Sequence, residues 1–141
     1  MSAALSHRVV ELRFPSEPDR LCIVRSLVKY TAEFAGCDAA LAEQLVLAVN
    51  EACMNIIQHA YGEDSTGEII LEIFNNADTM KFRLQDYAAP VDIDKIKPRQ
   101  LDELRPGGLG THFIREIMDE VEVGHLEAGQ GNYLEMSKRI L

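Results

Sequence analysis

The sequence predicts an α+β fold, a two-layer sandwich in which helices cover one face of a mainly antiparallel mixed sheet. Two observations lead there. The hydrophobic period switches between strand-like alternation and helical spacing in the order β-α-α-β-β-loop-α-β-β. The chain has 141 residues, one domain's worth over residues 1–141. That length buries roughly two-thirds of the unfolded surface, so the core needs no staples.

Each element has its own signal. RVVELRF (8–14) alternates as a strand does. Ser16, Glu17, Pro18 and Asp19 then mark a helix start: a small hydroxyl, an early proline, and acids in the first turn. That helix should run to about Phe34 with Leu21, Val24, Leu27, Val28 and Ala32 inward, and Gly36 should end it. Asp38 reads as the next N-cap, opening a long helix through Leu41, Leu45, Val49, Ala52 and Ile56 to Tyr61. GEIILEIF (67–74) and MKFRLQDY (80–87) read as a hairpin joined by NNADT. Residues 88–107 carry Pro90, Pro98 and Pro106 with little periodicity, and loops of that length in compact domains are usually functional or mobile. GGLGTHFIREIMDEV (107–121) opens with glycines and becomes an amphipathic helix with Phe113, Ile114, Ile117, Met118 and Val121 on one side. EVEVGHLE (120–127) and NYLEMSKRIL (132–141) close the chain as two strands around AGQG.

Composition excludes several classes. Net charge is −9 with no basic stripe, so direct nucleic-acid binding is not expected. MSAALSHRVV is no signal peptide, and no apolar run approaches the roughly 18 residues of a membrane span. A cytoplasmic protein without a membrane anchor is expected. Cys22, Cys37 and Cys53 are odd in number and lack CxxC spacing; Cys22 and Cys53 sit among apolar residues and should pack as reduced, small hydrophobes.

Three features bear on chemistry. In NEACMNIIQHAYG (50–62), Glu51, Asn55 and His59 recur every four residues. At about 100° per residue they fall within an arc of about 80°, while Val49, Ala52, Cys53, Ile56 and Ala60 line the other side. A buried Glu is costly unless paired, so Glu51 has a partner or faces a cleft; a merely solvated helix edge would show the same spacing. Asp86 ends a strand beside a loop, where sites are built, although an Asp there is more often a turn acceptor. PGGLG (106–110) precedes Thr111 and a helix, so close backbone approach and exposed amides would suit an anion; a flexible loop ending in a helix cap has the same look. The stretch is neither a P-loop nor a dinucleotide fingerprint, since it lacks GxxxxGK[ST] and the third glycine.

In this order the features are more specific. Glu51, Asn55 and His59, then Asp86, a long loop and GGLG at a helix start resemble the ATP-binding domain shared by gyrase-type ATPases, heat-shock chaperones and sensor histidine kinases. Within it, EACMNIIQHAY, GGLGTHFIREIMDEVEV and GNYLEMSKRIL are most similar to the boxes of the anti-sigma-factor serine/threonine kinases, over nearly the whole chain. The resemblance implies a histidine-kinase-like ATPase fold and the cofactors ATP and Mg²⁺. Asn55 would ligate the metal, Glu51 would act as general base, and His59 would lie along the same nucleotide-facing stripe. Asp86 would accept the exocyclic amine of adenine. The glycine box, Gly107, Gly108, Leu109, Gly110 and Thr111, would meet the phosphates, chiefly through the amides of Gly108 and Gly110. Residues 88–106 would form a lid, with Arg105 placed to reach a phosphate. Ala88 stands where the family's box has glycine, and Thr111–His112 where an apolar pair is usual.

The implied partners are an anti-anti-sigma (STAS-type) antagonist, which would be phosphorylated on serine, a sigma factor, which would be sequestered, and a second copy of the chain, paired through the N-terminal strand and first helix. Two other readings share these residues: a non-catalytic, nucleotide-sensing module that sequesters its partner, and a stand-alone ATPase.

Overall fold

The computed structural model describes residues 7–60, 67–87, 109–126 and 131–141. Its elements follow the expected order: β1 (Arg8–Pro15), α1 (Leu21–Phe34), α2 (Ala39–Asn55), β2 (Glu68–Asn76), β3 (Thr79–Asp86), α3 (Leu109–Ile117), β4 (Glu120–His125) and β5 (Asn132–Arg139). The strands form one sheet in the order β1-β2-β3-β5-β4. Every described pairing is antiparallel, so the sheet is simpler than the mixed one expected.

Sequence signals at the helix ends act largely as read. A single 3-10 turn, Pro18–Arg20, with proline in its first turn, leads into α1. Ser16 does not cap it. Its Oγ accepts from the Gly67 amide at 2.8 Å, and its own amide donates to the Gly67 carbonyl at 2.7 Å, tying the end of β1 to the start of β2. Gly36 ends α1 with φ +101, and Cys37 N–H donates to the Ala32 carbonyl while Gly36 N–H donates to that of Glu33. This is the paired closing bond set that a left-handed glycine permits. Asp38 caps α2 by accepting from the Leu41 amide at 2.8 Å.

Three boundaries differ from expectation. After Asn55 the backbone widens into a π turn, Ile56–Ala60, in place of continuing α-helix to Tyr61; Tyr61 itself lies outside the described residues. The β2–β3 link is tighter than NNADT: Asn76 pairs with Thr79 and only Ala77 and Asp78 turn. Ala77 has φ +44 there, as the hairpin twist requires of a two-residue turn. α3 stops at Ile117, and Val121 belongs to β4, 37% exposed, because the alternating EVEV pairs with β5.

The core lies between the sheet and the helix layer. Leu21, Val24, Val28 and Ala32 of α1, and Leu45, Ala48, Val49, Ala52 and Cys53 of α2, bury against Ile69, Leu71, Ile73, Met80, Phe82, Leu84 and Met136. Ile114 and Met118 join from the α3 side. α2 packs against both other helices. By length and composition alone the stretch Ala39–Gln58 would pass for a membrane span, with mean hydropathy 1.3, a test that the core helix of a globular domain also passes. Its core side and its contacts with the helices on both flanks account for part of that composition. Cys37 and Cys53 are buried as small hydrophobes, whereas Cys22 is exposed on α1 and does not pack in the core.

The opposite face of the sheet is largely polar, although Ile70 and Phe74 of β2 are buried there among the polar side chains. Glu72 accepts from Arg8 at 2.8 Å and from Gln85 at 2.9 Å, which satisfies a carboxylate only 8% exposed. Arg83 reaches Glu135 at 3.1 Å and lies 4.7 Å from the centre of the Tyr133 ring.

Candidate functional site

The candidate residues that the structure describes lie on α2, at the end of β3 and at the start of α3. Glu51 and Asn55 lie one α-helical turn apart on α2 and are half-buried. The side of α2 that carries Val49, Ala52 and Cys53 is fully in the core, so the amphipathic division read from the sequence is present. Neither residue is without an interaction partner. α-Helical spacing does not extend to His59. It lies in the π turn, where i→i+5 bonding rotates successive residues less about the axis, and its side chain is outside the described residues. Glu51 and Asn55 keep the separation of about 40° that α-helical spacing gives, and the spacing that gave the 80° arc does not apply at His59.

Asp86 is the last residue of β3 and is only 4% exposed. Met80, Phe82, Leu84 and Asp86 alternate onto the buried side of the sheet, so Asp86 shares the helix-covered face. In register it stands between Ile69 of β2 and Asn132 of β5. Asn132 Nδ2 donates to Asp86 Oδ1 at 2.9 Å, and Asn132 is itself 4% exposed. Gly131 presses on the same residue: a Cβ built there would lie 2.0 Å from the Asp86 carbonyl oxygen. Neither Gly131 nor Asn132 stood out in the sequence as a site residue. The available signal was GN at the start of the last strand, with a polar residue at an inward position of an otherwise apolar alternation.

Leu109, Gly110 and Thr111 form the first turn of α3, which places the end of the glycine stretch at a helix N-terminus as expected; their side chains are outside the described residues. Ala88, Arg105, Gly107 and Gly108, and the whole 88–106 loop, also lie outside them. Of the candidate residues, the described structure carries Glu51 and Asn55 on α2, Asp86 on the sheet face that the helices cover, and the backbone of Leu109, Gly110 and Thr111 at the start of α3.

The fold defines the class. A family model described as the histidine kinase-like ATPase domain matches residues 14–138, and the chain belongs to that family. Its relatives narrow this further. The chain is 34% identical to the serine-protein kinase RsbW of Bacillus licheniformis, over 81% of this chain and 76% of that protein. It is 32% identical to the protein of the same name from Bacillus pumilus, over 92% of this chain and 85% of the other. Among solved structures, a Mycobacterium tuberculosis protein with RsbU and RsbW domains superposes with TM-score 0.60 at 14% identity, over 94% of this chain and 33% of that one. The histidine kinase domain of a blue-light activated kinase from Erythrobacter litoralis gives TM-score 0.56 at 17% identity, over 90% and 62%. The chain spans less than two-thirds of either structure, and both support the fold alone.

Proposed function

We propose that this protein is an ATP-dependent serine/threonine kinase that phosphorylates a small STAS-type antagonist and also sequesters a sigma factor. The kinase part is supported by relatives named serine-protein kinases over most of the chain. The observation that carries the site is the Glu51–Asn55 pair, half-buried on the edge of a core helix whose layer also covers the buried Asp86.

The residues suit Mg-ATP. Asn55 offers a hard, neutral oxygen one turn from a carboxylate, and magnesium takes few protein ligands, with phosphates and waters completing its shell. When bound, Mg²⁺ would neutralise phosphate charge during transfer. Glu51 would take the proton from the attacking serine hydroxyl, and a half-buried carboxylate is well sited for that step. Asp86 would accept from the adenine amine and so favour ATP over GTP. The α3 amides after Gly108 would meet phosphate oxygens. Residues 88–106, with Arg105, would close over the nucleotide.

A cytoplasmic homodimer is part of the proposal. Ile23, Tyr30 and Phe34 are 53%, 66% and 77% exposed on α1, and three large apolar side chains on one helix suit a second copy. One departure favours a second reading: Ala88 replaces glycine beside the adenine carboxylate, which suits a module that binds its partner without transferring phosphate. Incubation with γ-labelled ATP and a STAS-type protein separates the two. Label on a serine of the partner supports the kinase, and stable complex without label supports sequestration only.

A further inference from the structure

β4 ends the sheet, and among the described residues only β5 pairs with it. Leu126 N–H donates to the Gly131 carbonyl at 2.9 Å, which continues the β4–β5 register and fixes its phase. Bonded and non-bonded pairs alternate along an antiparallel ladder, so Glu120, Glu122 and Gly124 bond to β5 while Val121 and Val123 direct their N–H and C=O groups to the free edge. Side chains alternate with the same period. Glu120 and Glu122 share the open face of the sheet with Ser137 and Glu135, and both are exposed. Val121, which is exposed, and the half-buried Val123 lie on the helix-covered face, opposite Met136 and Leu134. The charges on this edge differ from those on the rest of the open face. Glu11, Glu68, Glu72 and Glu135, the carboxylates of β1, β2 and β5, each lie 2.8 to 3.7 Å from an Arg or Lys nitrogen. Glu122 accepts from the Tyr133 hydroxyl at 3.3 Å, and no Arg or Lys among the described residues pairs with Glu120 or Glu122.

We propose that the free edge of β4 docks an extended segment of a partner protein in which Lys or Arg alternates with apolar residues. The segment adds to the sheet as a further strand. Its main chain completes the bonds of Val121 and Val123, which supplies affinity whatever its sequence. Its basic side chains, two residues apart, stand beside Glu120 and Glu122 on the open face, and its apolar side chains cover Val121 on the other. Opposite charges directly across neighbouring strands stabilise, and like charges destabilise. The same rule excludes a rival occupant. A second copy paired edge to edge through β4 would set glutamates beside glutamates, so the edge rejects itself and selects a basic strand. The other outermost strand, β1, lacks this preference, because Arg8 and Arg13 already neutralise its Glu11. None of the nucleotide-facing candidates lies on β4.

The test titrates the isotope-labelled full chain with two synthetic peptides, Ser-Lys-Val-Lys-Val-Lys-Val-Ser and the same sequence with Glu in place of Lys. Amide shifts in NMR spectra read binding, and amide hydrogen exchange reads the edge. The lysine peptide should shift the Val121 and Val123 amides and slow their exchange. The glutamate peptide should bind about tenfold or more weakly, the effect of two cross-strand charge pairs changing sign. The double variant Glu120→Lys, Glu122→Lys should invert that preference. Val123→Pro removes one N–H from the free edge and none from the ladder with β5; it should weaken the lysine peptide without altering the charges. Equal binding of the lysine peptide by wild type and the double variant would overturn the proposal, as would shifts spread over the acidic surface with no slowed exchange at Val121 and Val123. Failure of both peptides to bind would overturn it too. Exchange at these two amides that slows with rising protein concentration, without peptide, would assign the edge to a second copy and overturn the basic partner.

Discussion

Glu51 and Asn55 stand one turn apart at the end of α2, and the helix changes to a π turn at the residue after Asn55. Widened turns are frequent at functional sites. This one leaves the α2 pair in regular α-helix, where their spacing is fixed, and alters only the path of residues 56–60.

Glu51→Gln should abolish phosphoryl transfer while leaving ATP binding within about twofold, because the amide is nearly isosteric but cannot take a proton. Single-turnover labelling alongside ATP titration measures both. A variant that still transfers phosphate at the wild-type rate removes Glu51 from the role of base.

Tyr30→Glu or Phe34→Glu on the exposed side of α1 should convert a dimer to monomer with little change in melting temperature, since each side chain is more than half exposed. Light scattering coupled to gel filtration reads the mass. A dimer that persists in both variants places the second copy elsewhere.

The thiols give a chemical test of the core. Burial pushes the Cys53 thiol up to about 12 from its ordinary 9.0, and burial also raises Cys37. Native protein should therefore show one fast-reacting thiol, the exposed Cys22, with two more released on unfolding. The sign for stability comes from the raised value. The neutral thiol's contribution is fully present below pH 9 and is lost progressively as pH rises towards 12. Cys53→Ala should flatten part of that alkaline loss in denaturant titrations. Three fast thiols at neutral pH would contradict the packing.

The two crowded glycines should differ in cost. A Cβ on Gly124 would meet the far end of the Tyr133 ring at 2.4 Å, and that ring can swing away, giving up its place beside Arg83. Gly131 meets backbone. Gly124→Ala should then cost about 1 kcal/mol and Gly131→Ala nearer to about 3 kcal/mol, the two ends of the overpacking range. Urea unfolding of both variants decides; equal costs would mean that the Asp86 segment shifts as easily as a tyrosine ring.

Much of this architecture was legible because its signals are local. Gly36 and Asp38 mark helix ends by mechanisms that act within a few residues, and Ile69, Leu71, Ile73 and Phe82 alternate as half-covered strands must. What escaped depends on non-local partners. IIQHA (56–60) continues the apolar spacing of α2, so nothing in it distinguishes a π turn from another α turn. Ser16 has the look of a helix cap, yet Gly67, 51 residues later, claims its hydroxyl. Cys22 sits among apolar neighbours in sequence, but helical phase turns it outward. At the candidate site, Glu51, Asn55 and Asp86 could be picked out by residue type and position, whereas the pairing of Asn132 with Asp86 follows only from the β3–β5 register.

The most direct test of the central claim is calorimetric titration of ATP into wild type and Asn55→Ala, each with and without magnesium. The account predicts wild-type binding that weakens at least tenfold when magnesium is removed, and an Asn55→Ala variant whose residual binding ignores the metal. Absence of ATP binding by wild type with magnesium present, or an Asn55→Ala variant with undiminished magnesium dependence, would contradict it.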